Sequence, residues 1–321
     1  MNDNQHSAEE RARDHSFRRS TFVSRHSWLI YTFLTLLLWG GWGLVSKPVS
    51  DKLSAWQVQT ISALGLLPVI GVLAFSKKLR GGTRPRRGFW LAFGSGVVGC
   101  LGNIAYYRSL GAGGKAAEVT PLTALYPIVT IALAIIILRE RLNSVQSAGV
   151  LVSLAAMYFF NVGSDSAWLT SWLALALIPI ALWGTSALLQ KCASLDACSE
   201  LATIGFLLGA LPISLLTPLW VAMNWNLPVS TWALALAVGL LYGLGNLTLM
   251  FAYGTGGKAS VVTPMAALYS IVTIPLAVVM LGERVTAREG LGIALAIGAA
   301  LALSYEKPTH AADAQALSKS I

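Results

Sequence analysis

Residues 103–141 read NIAYYRSLGAGGKAAEVTPLTALYPIVTIALAIIILRER, and residues 246–284 read NLTLMFAYGTGGKASVVTPMAALYSIVTIPLAVVMLGER. The two stretches align without a gap. Asn103 meets Asn246, Lys115 meets Lys258, and Thr120-Pro121 meets Thr263-Pro264. Tyr126 meets Tyr269, and Glu140-Arg141 meets Glu283-Arg284. Further out, WGGWGLVSK (Trp39–Lys47) aligns with WGTSALLQK (Trp183–Lys191), and Pro68 with Pro212. The second half of the chain is a copy of the first.

Both copies read as membrane-spanning. Hydrophobic residues make up 55% of the 321-residue chain and charged residues only 12%. A soluble domain carries roughly 25% charged residues. The apolar stretches approach the ~20 residues that a helix needs to cross a hydrocarbon core. They are continuously apolar rather than alternating, and a bilayer leaves no backbone group unpaired, so they are expected to be helices. The expected spans are 27–46, 55–75, 88–110, 116–138, 144–161, 168–190, 200–222, 231–253, 259–281 and 288–305. The expected fold is therefore all-α, a polytopic membrane protein with ten transmembrane helices in two five-helix repeats. The repeats are expected at 27–161 and 162–305, with a basic tail at 1–26 and a polar tail at 306–321. An odd number of spans per repeat makes the twin enter the membrane in the opposite sense. The two repeats then have inverted topology about an axis in the membrane plane, a recurring plan of secondary transporters.

Basic residues set the expected orientation. Arg11, Arg13, Arg18, Arg19 and Arg25 lie in the N-terminal tail, and Lys77, Lys78, Arg80, Arg84, Arg86 and Arg87 in the loop after the second span. Both segments fall on one side. The opposite side holds Lys47, Lys52, Lys115, Arg284 and Arg288. Both termini are therefore expected in the cytoplasm, in a plasma or inner membrane. The net charge of +9 reflects this bias and attraction to anionic headgroups rather than nucleic-acid binding. The polar start shows no signal-peptide pattern, so the first span is expected to direct insertion.

Several chemistries find no residues. His6, His15, His26 and His310 all lie in the tails, and Cys100, Cys192 and Cys198 lack the spacing of a metal or redox motif. GAGGKAA and GTGGKAS suggest a phosphate loop, but the glycine required five residues before the final Gly-Lys is missing. No enzyme, cofactor or metal site is expected. The expected partners are membrane lipid and a small-molecule substrate, with protons as a candidate coupling ion and a homodimer as a candidate assembly; nucleic acid is not expected.

The candidate site is a polar and aromatic set near mid-span. Asn103 and Asn246 sit in spans three and eight, and Tyr126, Thr130, Tyr269 and Thr273 in spans four and nine. Trp39 and Trp183 occupy spans one and six. A buried amide is costly without partners, so these residues either line a cavity or bond between helices. Pro121 and Pro264 free backbone carbonyls, so Thr120 and Thr263 either flank a broken helix that lines the substrate path or mark a packing kink. Lys47 and Lys191, at the ends of spans one and six, are either interfacial anchors or cations at the cavity mouths. Glu118 and Arg108 are the ionisable residues of spans four and three, where charge is a functional hypothesis by default. Glu118 is the candidate coupling acid; alternatively it caps a helix start, and Arg108 snorkels or pairs with it. Glu140 and Glu283, each followed by Arg, read as helix ends or as members of a gating salt bridge.

The stretches TPLTALYPIVTIALAIIILRERLN and TPMAALYSIVTIPLAVVMLGERVT, with their WGGWGLVSK and WGTSALLQK openings, resemble the EamA-type repeat of the drug/metabolite transporter superfamily. The resemblance covers about residues 28–305. It implies ten helices, cytoplasmic termini and a central cavity lined mainly by helices one, three, four, six, eight and nine. It also implies export or exchange of small metabolites, often amino acids and related compounds. Phosphate-translocator relatives place paired basic residues deep in the cavity, and small multidrug-resistance relatives place a Glu in the first helix. Here Lys47, Lys191 and Arg108 are poorly centred, and span one holds no acid. The leading expectation is a secondary carrier of a small polar metabolite, amino-acid-like or related. A flippase or multidrug exporter of the same fold, or a non-transporting scaffold, are the alternatives.

Overall fold

The computed structural model describes residues 3–138, 143–161, 171–255, 259–303 and 305. Every regular element among them is helical. The first repeat comprises α1 (Asp3–Ser50), α2 (Ala55–Leu64), α3 (Leu67–Ala74), α4 (Pro85–Gly111), α5 (Ala116–Thr123), α6 (Pro127–Leu138) and α7 (Ser144–Asn161). The second comprises α8 (Ser171–Asp196), α9 (Ser199–Leu216), α10 (Val229–Gly254), α11 (Ala259–Ala267), α12 (Ser270–Met280) and α13 (Ala287–Leu303). A short 3-10 turn, Thr217–Leu219, ends α9.

Among the described residues, six segments are long and apolar enough to cross a membrane: Ser27–Ser50, Ala55–Ala74, Pro85–Gly111, Trp172–Asp196, Ser199–Leu219 and Val229–Gly254. Met265–Met280 and Gly290–Ala299 are shorter apolar helices. Helix α1 runs back to Asp3, so the basic tail continues the helix of the first span. Its Glu, Ala and Arg residues are good helix formers, and no Gly or Pro interrupts it before Gly40. Helix α8 likewise reaches Asp196, which places Lys191 inside the helix rather than at its end.

Local chemistry sets the interruptions. Ser54 caps α2 by accepting the Gln57 N–H at 3.3 Å. Between α2 and α3, Gly65 and Leu66 donate only to carbonyls three residues back, and Pro68 starts the next helix. The same tightening separates α5 from α6, where Leu125 and Tyr126 donate to Leu122 and Thr123. It separates α11 from α12, where Leu268 and Tyr269 donate to Met265 and Ala266. Pro127 has no N–H to donate and follows the first of these breaks. Ser270 stands in its place in the second, yet the break persists, so proline alone is not the cause.

The packing crosses between the repeats. Helix α4 lies along α8 and α9, α1 along α10 and α12, and α7 along α13. Small residues permit the close approaches, as is common between helices in lipid. A Cβ on Gly96 would collide with the Phe206 carbonyl, and one on Gly239 with the Ser62 carbonyl. Gly209 and Gly65 face these positions, so the two crossings repeat one device in the two halves.

Candidate functional site

Four aromatic residues predicted from the repeat converge where the halves meet. Trp183 on α8 lies against Gly102, and its Nε1 donates to Asn103 Oδ1 at 3.1 Å. Trp39 on α1 lies against Gly245 in the same way. The helix breaks carry Tyr126 and Tyr269 to the junction between the halves, both buried. One threonine behind each break fastens it to the opposite half. Thr130 Oγ1 donates to the Gly184 carbonyl and Thr273 Oγ1 to the Gly40 carbonyl, each at 2.9 Å.

Trp42 sits at the centre of this group. It is 2% exposed and contacts Tyr106, Tyr107, Trp183, Tyr242 and Tyr269, with ring centroids 4.7–6.4 Å apart. Its Nε1 donates to the Tyr107 hydroxyl at 3.2 Å, which fixes the indole orientation. Its sequence counterpart in the second half is Ser186, which pairs with Ser95 at 2.7 Å instead. Both Trp42 and Ser186 line the space between the halves.

The result is a cavity of about 500 Å³, its mouth included. Trp39 and Trp42 line it from α1, and Trp183, Ser186, Ala187 and Gln190 from α8. Tyr242, Asn246, Leu249 and Tyr253 line it from α10. Tyr126, Thr263 and Tyr269 close the wall. From Tyr242 to Tyr253 the lining runs about 16 Å along α10 at ~1.5 Å per residue. Asn246 Nδ2 donates to the Tyr242 carbonyl at 2.9 Å, and the Tyr253 hydroxyl meets Thr263 Oγ1 at 2.6 Å. Two wall atoms are buried without a partner, the donor Trp39 Nε1 and the acceptor Gln190 Oε1. Gln190 Nε2 is held by Ser186 Oγ at 3.5 Å, which leaves the amide oxygen as the unpaired atom.

Past Trp42, α1 enters a packed seal. Gly43 lies against Thr273 and Thr120, and Leu44 clusters with Ala116, Ala117 and Ala277. Glu283, following α12, accepts the backbone N–H groups of Ala116 and Ala117 at 2.8 and 2.9 Å. It caps the start of α5 in the other repeat, where the helix dipole favours a carboxylate. Lys115 Nζ pairs with Glu118 at 2.7 Å and donates to the Arg284 carbonyl at 3.0 Å. Lys47 pairs with Asp51 at 2.6 Å and donates to the Leu110 carbonyl at 3.2 Å.

The predicted residues thus divide into two layers. Trp39, Tyr126, Trp183, Asn246, Thr263 and Tyr269 line the cavity. Asn103, Thr130 and Thr273 stand behind the wall and hold it, as does Thr120, bonded to Tyr106 at 3.1 Å. Lys47, Lys191, Glu118 and Arg108 are not among the lining residues. Glu118 pairs with Lys115 rather than capping α5 itself, and Arg108 is exposed in the last turn of α4. Glu140 and Arg141, with Lys258, lie outside the described residues. Trp42, Ser186, Gln190, Tyr242 and Tyr253 were not singled out from sequence. The signal was available, because 39 and 42, 183, 186 and 190, and 242, 246, 249 and 253 each share a helix face.

The sequence profile of the EamA-like transporter family matches residues 26–162 and again residues 170–305. The chain belongs to the EamA-like transporter family. Each match is one of the two repeats, so the cavity lies between two EamA units. A solved crystal structure is similar over 87% of this chain and 98% of its own, with a TM-score of 0.61 and 18% identity, which shows the shared fold. A comparison with curated protein sequences gives no match. Membership makes this a membrane protein of the drug/metabolite transporter type, in contact with lipid and acting on a small molecule.

Proposed function

We propose that this EamA protein is a secondary carrier, not an enzyme, that moves a small polar metabolite, amino-acid-like or related, by export or exchange. In this reading ten spans form two inverted five-helix repeats in a plasma or inner membrane, with both termini cytoplasmic. The segments α2–α3, α5–α6 and α11–α12 then each count as one interrupted span. Alternating access follows from rocking one repeat against the other around a central site.

The observation that supports this most is the cavity between the repeats, with a partnerless donor and a partnerless acceptor in its wall. A buried polar atom left unpaired costs about 1–3 kcal/mol. A scaffold has no reason to retain that cost, whereas a binding wall recovers it when the ligand arrives. In the proposed orientation the cavity extends from mid-membrane toward the cytoplasm, and the Glu283 seal lies on the outer side.

Small-molecule contents of cells and medium, compared with and without the chain, test the carrier reading. At least one polar metabolite is expected to redistribute with the wild type but not with Tyr126→Ala or Trp183→Ala at equal membrane abundance. A metabolome indifferent to the chain overturns it. Single cysteines at Thr83 and Asn226, in a cysteine-free background, test the topology; the first is expected to label only from inside and the second only from outside.

A further inference from the structure

The cavity wall is aromatic, and no described side chain lining it is charged. Lys47 and Lys115 are paired with Asp51 and Glu118 beyond the seal, and Arg108 and Lys191 lie off the wall. An anionic group entering here would lose its hydration with no cation to replace it, which is prohibitive in a low-dielectric site. A zwitterion carries the same burden on its carboxylate.

The rings are set as a box rather than a slot. Trp42 meets Trp183 at 63° and Tyr269 at 62°; Trp39 meets Tyr269 at 82°, and Tyr126 meets Trp183 at 89°. A slot for a flat neutral ring needs two parallel faces. Walls at steep angles instead present π-faces and edges from several directions. The negative ring faces attract a cation, and recognition of ammonium groups by such aromatic cages is their established chemical use. Gln190 lines the same space, and its amide oxygen is a buried acceptor without a partner. A protonated primary or secondary amine can satisfy it, whereas a quaternary ammonium has no N–H to donate.

We infer that this site selects protonated organic amines without an acidic group: within the metabolite class proposed above, the amines rather than the amino acids. The inference rests on the carrier reading only in treating this cavity as the site.

Four compounds that share a phenol ring and differ in the head group separate the terms: tyramine (ammonium), tyrosol (neutral), tyrosine (zwitterion) and 4-hydroxyphenylpropionate (anion). Titration calorimetry on the purified full chain is expected to rank tyramine about tenfold tighter than tyrosol. Tyrosine and the acid are expected to be weaker still. Gln190→Met should weaken tyramine, and Gln190→Glu should strengthen it by adding an opposite charge. Trp42→Phe, which keeps a π-face, should retain more tyramine affinity than Trp42→Leu. Equal affinity for tyramine and tyrosol, tighter binding of the zwitterion or anion, no binding of any of the four, or a Gln190→Glu variant that binds tyramine more weakly would each overturn the assignment. Counterflow of the same compounds in proteoliposomes separates the two readings. Tight tyramine binding without counterflow removes the carrier while leaving the amine site, and counterflow of the acid without the amine does the reverse.

Discussion

Trp39 and Trp183 are the same residue in two copies of one sequence, each against a glycine of the other repeat, yet only one of them is hydrogen-bonded. Trp183 donates to Asn103 Oδ1, while Trp39 Nε1 has no acceptor and the Asn246 Nδ2 donates to the Tyr242 carbonyl in its own helix. Duplication supplied two equivalent wall positions. Divergence at a few neighbours left one indole N–H paired and the other without an acceptor. Trp42 against Ser186 is the largest such divergence among the lining residues.

Substitution of the two glycines strikes the comparison hardest. A Cβ at Gly102 would press on the Trp183 ring and one at Gly245 on the Trp39 ring. Overpacking of this kind costs about 1–3 kcal/mol. Gly102→Val is expected to cost about 1 kcal/mol more than Gly245→Val, because it also separates Trp183 from Asn103 and leaves both unsatisfied. Thermal unfolding of the purified variants measures the difference. Equal losses would mean that the hydrogen bond adds nothing to the ring packing.

The asparagines sharpen the same point. Asn103→Ala strands a buried indole N–H and is expected to lower stability by about 1–3 kcal/mol. Asn246→Ala removes a donor to a carbonyl that the helix already pairs, and should cost under about 1 kcal/mol. For transport the order should reverse, since Asn246 lies on the cavity wall and Asn103 behind it. If Asn103→Ala loses more flux than Asn246→Ala at matched folded fraction, the division between support and wall is wrong.

The repeat, the helical class and the grouping of Trp39, Trp183, Tyr126 and Tyr269 were legible in the sequence, because these residues recur at matching positions of the two repeats. What breaks the duplication was not legible that way. Trp42, Ser186, Gln190, Tyr242 and Tyr253 have no like partner in the other copy, so alignment of the halves passes over them; only helix-face spacing would have collected them. The charged candidates stand off the cavity wall. Ionisable residues within spans draw attention, but Lys47, Lys115 and Glu118 are neutralised close by at the sealed end, where Asp51 and Glu283 serve the same local electrostatics.

The seal itself offers a smaller test. Glu283 joins the repeats by accepting two backbone N–H groups of α5. Its removal in Glu283→Ala is expected to cost about 1–2 kcal/mol, comparable with loss of a helix cap. It should also raise the reactivity of a cysteine placed at Ser46, now fully buried, toward a water-soluble maleimide. An unchanged labelling rate would mean that apolar packing of Leu44, Ala116, Ala117 and Ala277 closes this end without the carboxylate.

Glu118→Gln should have the smallest effect on flux. The residue is the acid that sequence offers for proton coupling, and it has no acid in its place in the second repeat, where Val261 stands. A shared substrate–proton site requires the acid to sense the occupant of the cavity. Glu118 instead pairs with Lys115 at 2.7 Å, beyond the packed layer of Thr120 and Tyr106. Its replacement should leave both counterflow and the pH dependence of accumulation unchanged, with a modest loss of stability from the broken pair. Loss of pH-driven accumulation with counterflow intact would show that a proton reaches Glu118 through that layer. It would also make the asymmetry at the seal, rather than the one between the tryptophans, the difference that couples transport.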